Sequence, residues 1–273
     1  KYLNKLDIMI FDIQDVGVRF YTYITTLHYV MEACANNKLP LIILDRPNPN
    51  GHYIDGPVLK PAFNSFVGIH PIPLVHGLTI GELAKMINGE GWIDPVCDLF
   101  IIECDNYSHN DLYDLPVPPS PNLPNMQAVY LYPSLGLFEG TVMSVGRGTN
   151  LPFQVYGHPN YNDKDFSFLP LPTYGATNPK LKGEKCYGPA PEEILEQHAL
   201  FPGINIGFLK DAYLKTNTDK FFNNFFNLLA GDALLQEQNL SGVDVKTIRQ
   251  SWQLELEKYK KMRKKYLLYE DFK

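Results

Sequence analysis

The sequence predicts an α/β fold, a doubly wound parallel sheet followed by an α+β domain. Three apolar runs flanked by charge, "LDIMIFDIQD" (6–15), "LPLIILDRPNPNG" (39–51) and "CDLFIIECD" (97–105), alternate with helical patterns, the order that builds parallel strands. After Gln154 that alternation gives way to loop-rich sequence with short strand-like pieces. The expected division is 1–154 for the sheet domain and 155–273 for the α+β domain. The 273 residues, 45% hydrophobic and 20% charged, supply core enough for both.

The first run suits a strand buried on both faces of a parallel sheet. "RFYTYITTLHYVMEACANNK" then places Tyr21, Ile24, Leu27, Val30, Met31 and Cys34 at helical spacing, closed by Asn36 and Asn37. The second run supplies a buried strand that ends at Asp45 and completes a right-handed βαβ unit. "HGLTIGELAKMING" predicts a helix opened by a capping box of Thr79 with Glu82, and the third run comes next. The proline-rich "LPVPPSPNLPNMQ" (115–127) is a stiff non-regular segment or a linker. "AVYLYPSLGLFEG" (128–140) reads as a strand, "DKFFNNFFNLLAG" (219–231) as an apolar helix, and residues 245–269 as one long charged helix. In its "KYKKMRKKY", Tyr259, Met262 and Tyr266 recur at helical spacing, so the lysines belong to the solvated face.

Charge and cysteine usage remove several function classes. Lys+Arg number 24 against 30 Asp+Glu, a net charge of −6, so no global field attracts nucleic acid or an anionic membrane. No apolar run approaches the ~20 residues that span a bilayer, and the first residues lack the order of a signal peptide. The four cysteines form no CxxC pair, and the seven histidines are scattered; no metal or cofactor is expected. A GxSxG elbow, a P-loop and a GxGxxG turn are all missing.

In doubly wound sheets ligands bind beyond the carboxyl ends of the strands. There the sequence places Asp12, Asp15 and Arg19, then Asp45, Arg46, Asn48 and Asn50, then Glu103 and Asp105, with His76 just ahead of the helix capped by Thr79. Glu139 and Arg147 sit in the glycine-rich "GLFEGTVMSVGRGTNLPFQ" (136–154), either as a solvated pair or in a loop whose glycines let backbone approach a ligand. Carboxylates with asparagines, arginines and abundant aromatics (17 Tyr, 16 Phe, 2 Trp) favour a sugar as ligand. A binding module fits that composition equally well.

The blocks "FDIQDVGVRFYTYITTL", "LDRPNPNG", "HGLTIGELA", "PPSPNLP" and "YPSLGLFEGTVMSVGRGTNLPFQ" resemble the signature blocks of the NamZ-type exo-β-N-acetylmuramidases, the DUF1343 family, and the similarity continues through "KCYG" and "YLLYED". The resemblance implies a Rossmann-like domain with a C-terminal α+β auxiliary domain and a cleft near their junction. It implies removal of β-linked N-acetylmuramic acid from the non-reducing ends of peptidoglycan fragments, and an exported protein of the periplasm or cell surface. The family pattern also has an upstream part with a glutamate in an EHG block. This chain lacks that block, so its sheet is expected to be N-terminally incomplete.

On that reading Glu139 is the candidate acid or base, and Asp15 the second carboxylate. Arg147 either pairs with the lactyl carboxylate of the sugar or orients Glu139. Arg19 is a carboxylate clamp or, with Asp15, a structural ion pair. Arg46, Asn48 and Asn50 bind sugar, although "RPNPNG" is also good turn chemistry; His76 bonds a hydroxyl or caps its helix. Retention, inversion and assistance by the 2-acetamido group all stay open, as does a peptidoglycan-binding protein without turnover.

Overall fold

The computed structural model describes residues 3–201 and 203–272. The chain divides into two compact units, 1–113 with 254–273 and 114–253.

The first unit is built on a parallel sheet of order β1-β2-β3: β1 Met9–Phe11, β2 Leu41–Leu44 and β3 Leu99–Ile102. Helix α1, Tyr23–Asn37, connects β1 to β2, and Lys38 ends it in the left-handed region at φ 53°. Helix α2, Ile80–Gly89, opens with the expected capping box, the Thr79 hydroxyl and Glu82 carboxylate each accepting the other's backbone N–H. Both helices pack on one face, where Ile24, Leu27 and Met31 of α1 and Leu83, Met86 and Ile87 of α2 cover Phe11, Leu41 and Ile43.

The opposite face corrects the expectation of strands buried on both sides. Ile10, Ile42 and Phe100 stand side by side in register, and Ile10 is 56% and Phe100 53% exposed. Strand side chains alternate between faces, and α1 and α2 cover only the Phe11, Leu41 and Ile43 face.

The second unit begins with the proline-rich segment, in which Asn122 Nδ2 donates to Gly175 O at 2.6 Å. Residues expected as a strand instead form helix α3, Met126–Leu135, opened by the Asn125 side chain accepting from Ala128 N. The polypeptide tightens directly into a 3₁₀ turn, Gly136–Gly140, which carries Glu139. Periodicity alone cannot separate helix from strand in a short apolar run, and the cap decides it. Strands β4, Phe166–Phe168, and β5, Cys186–Gly188, pair antiparallel. Helices α4, Pro191–Ala199, and α5, Ile206–Lys215, come next.

The apolar run at 219–231 is helical only over α6, Phe226–Ala230. The Asn223 side chain accepts Phe225 N at 2.8 Å, a local turn that competes with helix upstream. After α7, Leu234–Leu240, the expected long helix is two: α8, Val245–Ser251, and α9, Gln253–Arg263, separated at buried Trp252. Tyr259 enters the core of the first unit with Met262 and Tyr266 packed beside it, which leaves the lysines of that run on the other side.

The compact units thus part at 113/114 and 253/254, whereas the sequence division at 154/155 falls inside the second. Residues 128–140 pack against later parts of that second unit: Phe138 stacks on Tyr156 at 4.8 Å, and Ser134 Oγ accepts Asn205 N at 2.9 Å. The last segment returns to the first unit, where the Tyr259 hydroxyl donates to His76 O, Arg263 Nε to Gly77 O and Leu268 N to Glu82 Oε1.

Candidate active site

The strand ends of the first unit hold a buried polar cluster. The turn after β1 places Asp15, 5% exposed, so that Oδ2 accepts Gly17 N at 2.7 Å and lies 3.6 Å from His76 Nε2. His76 Nδ1 accepts Leu78 N at 3.2 Å. The imidazole proton therefore resides on Nε2, facing the carboxylate, the arrangement that fixes one tautomer of a histidine. Asp15 Oδ1 and His76 Nε2 make no hydrogen bond among the described residues.

The asparagines brace this cluster. Asn48 donates to Leu78 O and accepts Asn50 N, and Asn50 donates to Val16 O, each at 2.9 Å. Gly17, at φ +77°, is in van der Waals contact with Asn48, whose Oδ1 would lie 2.2 Å from any Cβ there. Arg19 is fully buried, and its Nη1 donates to Pro57 O and Ile72 O, both at 2.8 Å. Arg46 is half-exposed and pairs with Asp12 at 2.6 Å, which raises the guanidinium pKa. Asp45 is spent on structure: it accepts from the Thr79 hydroxyl, Gly81 N and the Tyr269 hydroxyl, and burial raises its pKa against those bonds.

The second unit holds the other cluster. Arg147 Nη1 donates to both Glu139 oxygens, at 2.9 and 3.2 Å, and both side chains are about a third exposed. They line a cavity of about 370 Å³ with Met143, Ser144 and the segment 175–180. A carboxylate held at the rim of such a cavity can take up or release a proton at a ligand within it. The loop's glycines do not serve to open it toward a ligand, as the sequence suggested. A Cβ at Gly140 would sit 2.4 Å from Phe226 Cα, at Gly146 2.4 Å from Leu151 O and at Gly148 2.4 Å from Leu171 O. The protein's own backbone occupies those approaches.

One residue of this cluster has no counterpart among the sequence candidates. Lys180 lines the cavity, and its Nζ donates to Phe138 O, Glu139 O and Thr141 O at 3.2, 3.2 and 2.6 Å. Burial lowers its pKa to about 8, with Glu139 opposing the shift and Arg147 adding to it. No sequence signal marks it, because its partners lie 39 to 42 residues away. Among the described residues no group of three or more His, Cys, Asp or Glu could hold a metal ion, and no helix is long and apolar enough to cross a membrane.

Comparison with known proteins places both units. Residues 1–127 match the model of the N-terminal domain of exo-β-N-acetylmuramidase NamZ, and 130–269 that of its C-terminal domain. The chain is 39% identical to the peptidoglycan β-N-acetylmuramidase NamZ of Bacillus subtilis (strain 168), an alignment that takes in 98% of this chain and 68% of that protein. A DUF1343 family protein from Bacteroides fragilis NCTC 9343, known from a crystal structure, superposes with a TM-score of 0.92 at 49% identity, covering 98% of this chain and 77% of that one. A second from the same organism gives 0.76 at 27% identity, covering 97% and 75%. With both domain models matched in order along its length, the chain belongs to the exo-β-N-acetylmuramidase NamZ family.

Proposed function

We propose that this chain is a glycoside hydrolase that releases β-linked N-acetylmuramic acid from the non-reducing ends of peptidoglycan fragments. The observation that carries the reading is its 39% identity to the Bacillus subtilis peptidoglycan β-N-acetylmuramidase over 98% of its length. A substrate in the cell wall calls for an exported protein, at the periplasm or the cell surface. Glu139, at the rim of a cavity large enough for a sugar ring, is the proton-transferring carboxylate. Arg147 orients it and, once a substrate carboxylate arrives, can exchange one partner for the other, since guanidinium binds either equally well. Asp15, fixed opposite the His76 N–H, is the carboxylate candidate of the first unit. Asn48, Asn50 and Arg19 hold the strand-end loops that carry it, and half-exposed Arg46 is available to sugar hydroxyls.

The test is release of the chromophore from a chromogenic β-N-acetylmuramide. The chain should turn it over, and Glu139→Gln should lose about a hundredfold or more in kcat. A chain that binds the glycoside without cleaving it overturns the hydrolase reading. Cleavage unaffected by Glu139→Gln removes Glu139 from the chemistry.

A further inference from the structure

We propose that Lys180 is a positioning residue for Glu139, its ammonium clamping the carbonyls of the 3₁₀ turn from which that carboxylate enters the cavity. An ammonium has three N–H donors, and Lys180 directs Nζ at three carbonyls, those of Phe138, Glu139 and Thr141. These carbonyls lie at the C-terminal end of the turn Gly136–Gly140 and just past it; Phe138 O also accepts Thr141 N and Thr141 Oγ1, at 2.9 and 2.8 Å. Asn223 Nδ2 reaches two of them, but only at 3.4 Å. Lys180 itself belongs to the segment 175–180 that lines the same cavity. The wall of the cavity is thereby bonded to the backbone of the residue that works in it.

The clamp has an electrical side. Two charged groups act on the ammonium, Glu139 and Arg147 of the turn and the loop after it; Asn223, from the third segment in contact, is neutral. The Lys180 pKa of about 8 puts loss of its charge within the working range of an enzyme. Deprotonation removes one donor and turns a lone pair toward carbonyl oxygens, so the turn loosens as the pH rises through that value. Misplacing a catalytic group by about 1 Å can cost on the order of a hundredfold in rate.

This inference rests on the reading of Glu139 as the proton-transfer group, and the test separates the two. Wild type, Lys180→Met, Lys180→Arg and Glu139→Gln are compared on a chromogenic β-N-acetylmuramide across pH, with hydrogen exchange followed in the peptide spanning 136–142. Lys180→Met should lose roughly a hundredfold in kcat with KM changed far less, and its turn should exchange at least about tenfold faster while α1 is unchanged. Lys180→Arg, which stays charged, should recover much of kcat and lose the alkaline fall near pH 8. A Lys180→Met enzyme with wild-type kcat and wild-type turn exchange overturns the proposal, as does an alkaline fall retained in Lys180→Arg. If Glu139→Gln keeps full kcat, the catalytic reading of Glu139 fails and the positioning role with it; exchange in the turn then still reports whether the clamp exists.

Discussion

A single nitrogen of Arg147 spans both oxygens of Glu139, at 2.9 and 3.2 Å, and the guanidinium lies 5.8 Å from the centroid of the Phe153 ring. Phe153 holds that place with a left-handed backbone, φ 55°, a conformation that costs a non-glycine residue about 1–3 kcal/mol. The pair is one-third exposed, so screening keeps its contribution to stability below about 1 kcal/mol. Arg147→Met should therefore leave the melting temperature nearly unchanged while lowering kcat by about ten- to a hundredfold. If the loss falls wholly on KM, Arg147 binds the substrate carboxylate and does not orient Glu139.

Gly140, which ends the turn carrying Glu139, is required by contact and not by conformation. Its position lies against the backbone of α6, with Phe226 Cα 2.4 Å from where a Cβ would be. Backbone cannot swing aside as a side chain can, so Gly140→Ala should destabilise by about 2–3 kcal/mol. Gly91 is the control: a Cβ there meets nothing within 4 Å, but φ is +65°, and Gly91→Ala should cost about 1 kcal/mol from backbone strain alone. Urea unfolding of both variants checks the order, and equal losses would mean that α6 yields.

The parts of the fold visible in the sequence are those specified by near neighbours. The capping box at Thr79 and Glu82 spans three residues, and α1 shows its apolar stripe over fifteen. Helix α3 was hidden because its run is apolar on all sides, and residues 219–231 because Asn223 diverts the backbone to a turn. In the candidate site, Glu139 and Arg147 stand eight residues apart in one block and were legible. Lys180 was not, since its partners are carbonyls, which carry no residue type. The sequence also hid the pairing of Asp15 with His76, which lie in different loops of the first unit.

The two faces of the sheet should answer mutation differently. Ile43 is fully buried beneath the helices, whereas Phe100 and Ile102, on the next strand, are 53% and 56% exposed. Ile43→Ala should cost about 2–5 kcal/mol, the range for a buried methyl-rich side chain. Phe100→Thr and Ile102→Thr should each cost less than about 1 kcal/mol, since little contact is lost and threonine suits a strand. Thermal unfolding of the three variants measures this, and a large loss from Phe100→Thr would mean that something covers that face in solution.

The acid side of the stability profile should be governed in part by His70. It is 1% exposed, stacks on Trp92 at 5.0 Å and shares a 3.1 Å hydrogen bond between its Nε2 and His28 Nδ1. Burial, reinforced by His28 and His76, lowers its pKa to about 3, and burial lowers that of His28 as well. One ring of the pair must accept if the other donates, so protonating both breaks the bond. Between the ordinary histidine value near 6.5 and about 3 the unfolded chain binds the proton and the folded one does not. Stability from this source is complete above that ordinary value and drains away as the pH falls through the window, by a few kcal/mol at most. His70→Phe keeps an aromatic ring beside Trp92 but cannot titrate. It should flatten the dependence of unfolding free energy on pH between about 6.5 and 4, while an unchanged slope would assign the acid sensitivity to other groups.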